Sequence, residues 1–189
     1  MKLIKLNYIK KHQKHFIKDA EIAHERFIFN YSKAYGVTSS TLFYRYYNIT
    51  CLTFGSKYYF YLFKKLQKII RKYAGHNKPL WYQSWLNFHN QNEVLDWHNH
   101  ADCSFHGYIS IRPQQTETQF KDYTIQNEIG NVYIGKAGLM HKVNVLKNYK
   151  EPRITIAFDV ISEEDYNKSI TKKSKIDVNT GYIPIYERI

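Results

Sequence analysis

The densest group of side chains able to bind a metal or carry a proton is Asp96-Trp-His98-Asn-His100-Ala-Asp102. Residues two apart on an extended chain face the same side, so His98 and His100 can address one ion, and so can His100 and Asp102. Spacing leaves both pairs open. A third ligand is offered by His141, at the head of a later β-prone stretch. A lone histidine is more often structural, and it is the addition of a distant third residue that points to a metal site.

Twelve residues past His141 stands Arg153, followed at the same strand parity by Thr155. A planar guanidinium binds a carboxylate through two parallel hydrogen bonds, and a neighbouring hydroxyl can serve a remaining lone pair. Taken singly Arg153 reads as a surface charge; beside the histidines it becomes a candidate anchor for an acidic co-substrate.

These residues need strands to aim them. After Pro79 the chain turns to short runs rich in aromatic and β-branched residues, separated by polar turns, the pattern of a sandwich or barrel. Strands are expected at 81–88, 94–98, 106–112, 131–135, 142–146 and 153–160. In the last, Ile154, Ile156, Phe158 and Val160 alternate with Arg153, Thr155, Ala157 and Asp159, which predicts one buried face and one face turned to a cavity or solvent.

Before Pro79 the spacing is helical. Phe16, Ala20, Ala23 and Phe27 predict an amphipathic helix over about 8–30. A second helix starts at the cap residue Ser56, runs on a stripe from Tyr59 to Tyr73 and stops at Gly75. The stretch 42–50 between them is β-prone with its pairing open. The expected organisation is a basic helical part over 1–78 packed on a core over 79–162, with a peripheral tail over 163–189, all in one structural domain of class α+β.

The 189 residues, 43% hydrophobic and 17% aromatic, suffice for one self-sustaining core and exclude a disordered chain. Cys51 and Cys103 lack metal-type spacing, which predicts reduced thiols and a cytoplasmic setting rather than a disulfide framework. No stretch is long and uncharged enough to predict a membrane span. Charge is uneven: residues 1–75 hold 15 Lys/Arg against 3 Asp/Glu, and residues 76–189 hold 13 against 13, so the net +12 lies in the first part. Such a surface, which includes Lys64, Lys68 and Lys72, suits an anionic partner, although a merely solvated face has the same composition.

Trp85-Leu-Asn87 followed by His98-Asn-His100-Ala-Asp-Cys-Ser-Phe-His-Gly107-Tyr-Ile resembles the H-x-H type of 2-oxoglutarate/Fe(II) oxygenase found in phages and marine bacteria. Gly130-Asn-Val-Tyr-Ile-Gly-Lys-Ala-Gly-Leu-Met-His141 and Arg153-Ile-Thr-Ile-Ala-Phe-Asp159 are similar to the later segments of that pattern, so the resemblance spans about residues 81–160. Ala101 stands where the pattern has Pro, His106 where it has Ser, and Gly135-Lys136 where it has Phe-Pro. No ligand position and no arginine is lost.

The resemblance implies a double-stranded β-helix, or cupin-like jelly roll, holding Fe(II) through His98, His100 and His141, with Asp102 in place of His98 as the alternative. It implies 2-oxoglutarate bound by Arg153 and Thr155, dioxygen as co-substrate, and hydroxylation of a protein side chain or another macromolecular substrate with release of succinate and carbon dioxide. Two other readings stand beside it. One is a barrel, with or without a metal, that binds without catalysis and engages nucleic acid through its basic N-terminal part. The other is a nuclease built on the tripeptide His98-Asn99-His100.

Overall fold

The structure is a computed structural model and describes residues 1–27, 56–171 and 182–185. The β-prone stretch 42–50, Cys51 and most of the tail lie outside the described residues. In chain order the elements are β1 (Lys2–Lys5), α1 (Asn7–Phe27), α2 (Lys57–Ala74), β2 (Leu80–His89), β3 (Phe105–Arg112), β4 (Thr116–Phe120), β5 (Thr124–Gln126), β6 (Asn131–Lys136), β7 (His141–Val145), β8 (Arg153–Ser162), α3 (Glu163–Thr171) and β9 (Ile183–Ile185).

The second helix begins and ends where its caps require. Ser56 Oγ accepts from the Tyr58 N–H at 3.2 Å, and Gly75 takes φ +71°, a left-handed conformation that closes the helix without a Cβ clash. Its stripe Tyr59, Leu62, Leu66 and Ile70 is fully buried, each side chain contributing about 1.5–3 kcal/mol by leaving water. Helix α1 buries Ile9, Phe16 and Ala20 in the same cluster, across a kink at His12.

Six strands pair antiparallel in the order β1-β6-β3-β8-β2-β9, and three more in the order β5-β4-β7. The smaller sheet is widened by residues 95–98: the His98 N–H donates to the His141 carbonyl at 3.0 Å, His141 N–H returns the bond at 2.9 Å, and Val143 N–H reaches the Leu95 carbonyl at 3.0 Å. From β2 onward the chain passes back and forth between a set β2-β8-β3-β6 and a facing set 95–98-β7-β4-β5, with β4 and β5 following one another as a hairpin in the second. That succession is the double-stranded β-helix, a jelly roll of α+β class with helices outside.

Strand register then sorts the large sheet into two faces. Cross-strand partners share a face, so Ile109, Ile156 and Val132 lie on the helix side, while Ser110, Thr155 and Asn87, or His106, Asp159 and Gln83, lie on the other.

The strand expected at 94–98 forms only a bridge. Asp96 explains this: its carboxylate accepts from the Trp97 N–H at 2.8 Å and its carbonyl from the His98 ring at 2.7 Å, so local bonds displace a regular ladder. Strands β1, β4, β5 and β9 are additions to the sequence expectation, and β1 ties the N-terminal part into the large sheet beside β6.

Candidate metal centre

Two strand systems deliver the three histidines. His98 and His141 are the paired residues of the bridge, which sets their rings 4.2 Å apart, and His100 follows two residues on, its ring 5.5 Å from that of His141. One ring nitrogen from each lies within 4.8 Å of the others.

The second nitrogen of every ring is occupied. His98 Nδ1 donates to the Asp96 carbonyl at 2.7 Å and His141 Nδ1 to the Leu139 carbonyl at 2.9 Å, partners that can only accept. His100 Nδ1 donates to Asp159 Oδ1, also at 2.7 Å. All three tautomers are therefore set with the Nε2 lone pair outward, the arrangement that holds metal-binding imidazoles in place. Burial, opposed by the Leu139 carbonyl, lowers the His141 pKa to about 4, and burial lowers that of His98 as well, so both rings are neutral at pH 7 and ready as ligands. These donors fit a divalent transition metal.

In the sequence Asp159 stands only as a residue of the last core strand. It is 1% exposed, lies beneath the triad, and its other oxygen accepts from Gln83 Nε2 at 3.2 Å. Its Oδ1 holds the His100 ring in place through the bond at 2.7 Å. Parity was the available signal, since Arg153, Thr155 and Asp159 share one strand face. Asp102 is exposed and outside the histidine cluster.

The histidines open into a cavity of about 290 Å³ whose lining includes Trp85, Leu95, Tyr108, Val143, Arg153 and Thr155. Arg153 is 3% exposed, with Nη1 donating to Thr155 Oγ1 at 3.3 Å and Nε buried without a partner. No carboxylate pairs with it among the described residues, and burial lowers its pKa. Around it Asn87 donates to the same Thr155 hydroxyl at 3.3 Å, while Asn87 Oδ1 and Ser110 Oγ are buried without partners. Burial pushes the Tyr108 phenol up to about 12, against the pull of the Thr118 hydroxyl, so it stays protonated.

A fourth histidine, His106, was noted in the sequence only as a departure from the family pattern. Its ring stacks 4.6 Å from His100 and 5.0 Å from His141, its Nε2 is buried without a partner, and burial followed by the neighbouring imidazoles lowers its pKa to about 3. Beside it the Tyr133 ring lies over Gly135, where a Cβ would stand 2.1 Å from the Tyr133 hydroxyl oxygen. The Gly at the position of the pattern's Phe thus makes room for an aromatic ring supplied from elsewhere on the strand.

No family model and no curated protein matches the chain. Among solved structures it is similar to a cupin-2 domain protein from Shewanella frigidimarina, at 24% identity over 47% of this chain and 89% of that one, TM-score 0.30. It is also similar to the non-haem α-ketoglutarate-dependent epimerase SnoN from nogalamycin biosynthesis, at 12% identity over 58% of each chain, TM-score 0.46. KdgF from Halomonas sp. matches at 11% identity over 44% and 72%, TM-score 0.35. With TM-scores this low, the jelly-roll assignment rests on the chain's own strand succession and the metal centre on its own three histidines.

Proposed function

We propose that the chain is a 2-oxoglutarate- and iron(II)-dependent dioxygenase that hydroxylates a protein side chain or other macromolecular substrate. The observation that carries this reading is Arg153, a buried guanidinium with no carboxylate partner among the described residues, in the cavity that the three histidines share. An uncompensated buried cation costs several kcal/mol, which a small dicarboxylate would offset.

In this reading His98, His100 and His141 hold the iron through Nε2, and Arg153 takes the far carboxylate of 2-oxoglutarate. Thr155, whose oxygen already accepts from Asn87 and Arg153, has its own O–H left to donate to that carboxylate. Iron(II) with bound 2-oxoglutarate supplies the coupling of oxidative decarboxylation to oxidation of a substrate C–H bond by dioxygen. The chain's own part is positional. Asp159 orients His100 and lends it negative charge, Tyr108 presents a proton rather than a charge, and Trp85, Leu95 and Val143 keep water from the site. A cytoplasmic setting, which keeps iron reduced, suits this chemistry.

The test is to incubate the iron-loaded protein with 2-oxoglutarate and oxygen, alone and with peptide and nucleic-acid substrates, and to record succinate. Succinate formed one-for-one with 2-oxoglutarate consumed is the expected result. Metal binding with no succinate under any of these conditions would instead favour a module that binds without catalysis.

A further inference from the structure

We infer that the outer face of the α1–α2 layer is a docking surface for single-stranded nucleic acid, set on the opposite side of the large sheet from the cavity. Helix α2 buries Tyr59, Leu62, Leu66 and Ile70 against the sheet and turns Lys57, Lys64, Lys65, Lys68 and Lys72 outward. It contains no acidic residue. The neighbouring α1 adds Lys10, Lys11, Lys14 and Lys18, all exposed. Of the three acids of α1, Asp19 accepts from Ser56 and Glu21 pairs with Arg112, which leaves only Glu25, exposed in the last turn beside Arg26. None of these nine lysines forms an ion pair with an acid among the described residues.

Charge alone would suit any polyanion, and two features narrow the choice. Phe60 and Tyr61 stand 49% and 54% exposed amid the lysines, their rings 5.7 Å apart in an edge-on arrangement at 66°. Half-exposed aromatic rings between phosphate-binding cations suit unstacked bases. A bilayer would need a broad apolar face to insert, and the apolar stripe of α2 is already spent on the sheet. From Lys57 to Lys72 the helix rises about 22 Å, room for the few nucleotides that small single-strand sites engage.

The placement separates docking from chemistry. A strand bound there lies behind the sheet whose other face carries the triad, so it tethers the protein and does not enter the cavity.

Binding of the full chain to a fluorescent oligo-dT, to a duplex of equal length and to phosphatidylserine vesicles should be measured across a salt series. The expected result is oligo-dT binding whose log affinity falls with log salt at a slope of roughly −3 to −4, as about five phosphate contacts imply. Lys64→Gln/Lys65→Gln/Lys68→Gln/Lys72→Gln should flatten that slope and weaken binding at least 100-fold, with circular dichroism unchanged. Phe60→Ala/Tyr61→Ala should weaken oligo-dT binding about tenfold at an unaltered slope. Arg153→Ala should leave it unchanged, which keeps this test independent of the reaction in the cavity. Vesicle binding without oligo-dT binding, equal affinity for duplex, or no binding at low salt would each overturn the inference.

Discussion

The two faces of the large sheet are made by the same strands and follow opposite rules. On the helix side Ile109, Ile154, Ile156, Phe158 and Val160 meet the stripes of α1 and α2 in one apolar cluster. On the cavity side the intervening residues are Arg153, Thr155, Asp159, Asn87, Ser110 and His106, several with buried polar atoms that have no partner. Each such atom costs about 1–3 kcal/mol, so the second face lowers stability that the first supplies. Binding was selected over packing on the cavity side, because a chain optimised for stability alone would have filled both faces alike.

Exchanging single residues across this divide gives the largest contrast. His100→Ala and His141→Ala should abolish iron binding in a folded protein, and His98→Ala likewise, whereas Asp102→Ala should retain the full metal content. On the opposite face Ile156→Ala should cost about 2–5 kcal/mol in urea unfolding and leave the metal content of the folded chain unchanged. Loss of metal in Asp102→Ala with retention in His98→Ala would move the ligand set to His100, Asp102 and His141.

At Arg153 one side chain should trade stability for ligand. Arg153→Ala should lose 2-oxoglutarate binding and keep iron. Arg153→Lys should recover part of it, with a deficit of about 1–3 kcal/mol, since an ammonium cannot reproduce two parallel bonds. Without ligand, Arg153→Met should melt higher than the wild type, because a buried cation is replaced by apolar volume. A lower melting temperature would mean that the guanidinium is already compensated.

A smaller effect is expected at Asp159→Asn, which keeps a side chain of the same shape but removes the charge behind His100. Iron affinity measured by competition with a chelator should fall about 10- to 100-fold.

An effect of another kind is the pH dependence of the metal-free chain. The folded pKa values of His141 and His106, about 4 and about 3, lie below the ordinary value near 6.5, so the unfolded chain binds these protons first. Stability from the two groups is complete above about pH 6.5 and is lost progressively as pH falls toward 4. Urea midpoints between pH 7.5 and 4 should follow that course, and His106→Gln should make the fall shallower. A flat profile would contradict the burial of these rings.

What the sequence revealed follows the same division. Strand β8 was legible because large apolar residues alternate with small or polar ones from Arg153 to Val160, and α2 because Ser56 and Gly75 mark its ends. Strand β4 was not, because Thr116 and Thr118 face inward in a run, Thr-Glu-Thr-Gln-Phe, with no apolar alternation to betray it. The triad was visible as residue types, while the partner of each Nδ1 was not, because Asp159 lies 59 residues from His100 and two of the acceptors are carbonyls that carry no residue-type signal. His106 appeared only as a departure from a pattern; the stacking that brings it to the triad depends on strand pairing.

The most direct measurement is an anaerobic titration of the iron(II)-loaded protein with 2-oxoglutarate, followed by visible absorption. The expected result is a charge-transfer band that saturates at one equivalent of 2-oxoglutarate per iron and is absent in Arg153→Ala at the same concentrations, although that variant binds iron. An iron-loaded wild type that develops no band, or an Arg153→Ala protein that develops it with unchanged affinity, would contradict the account.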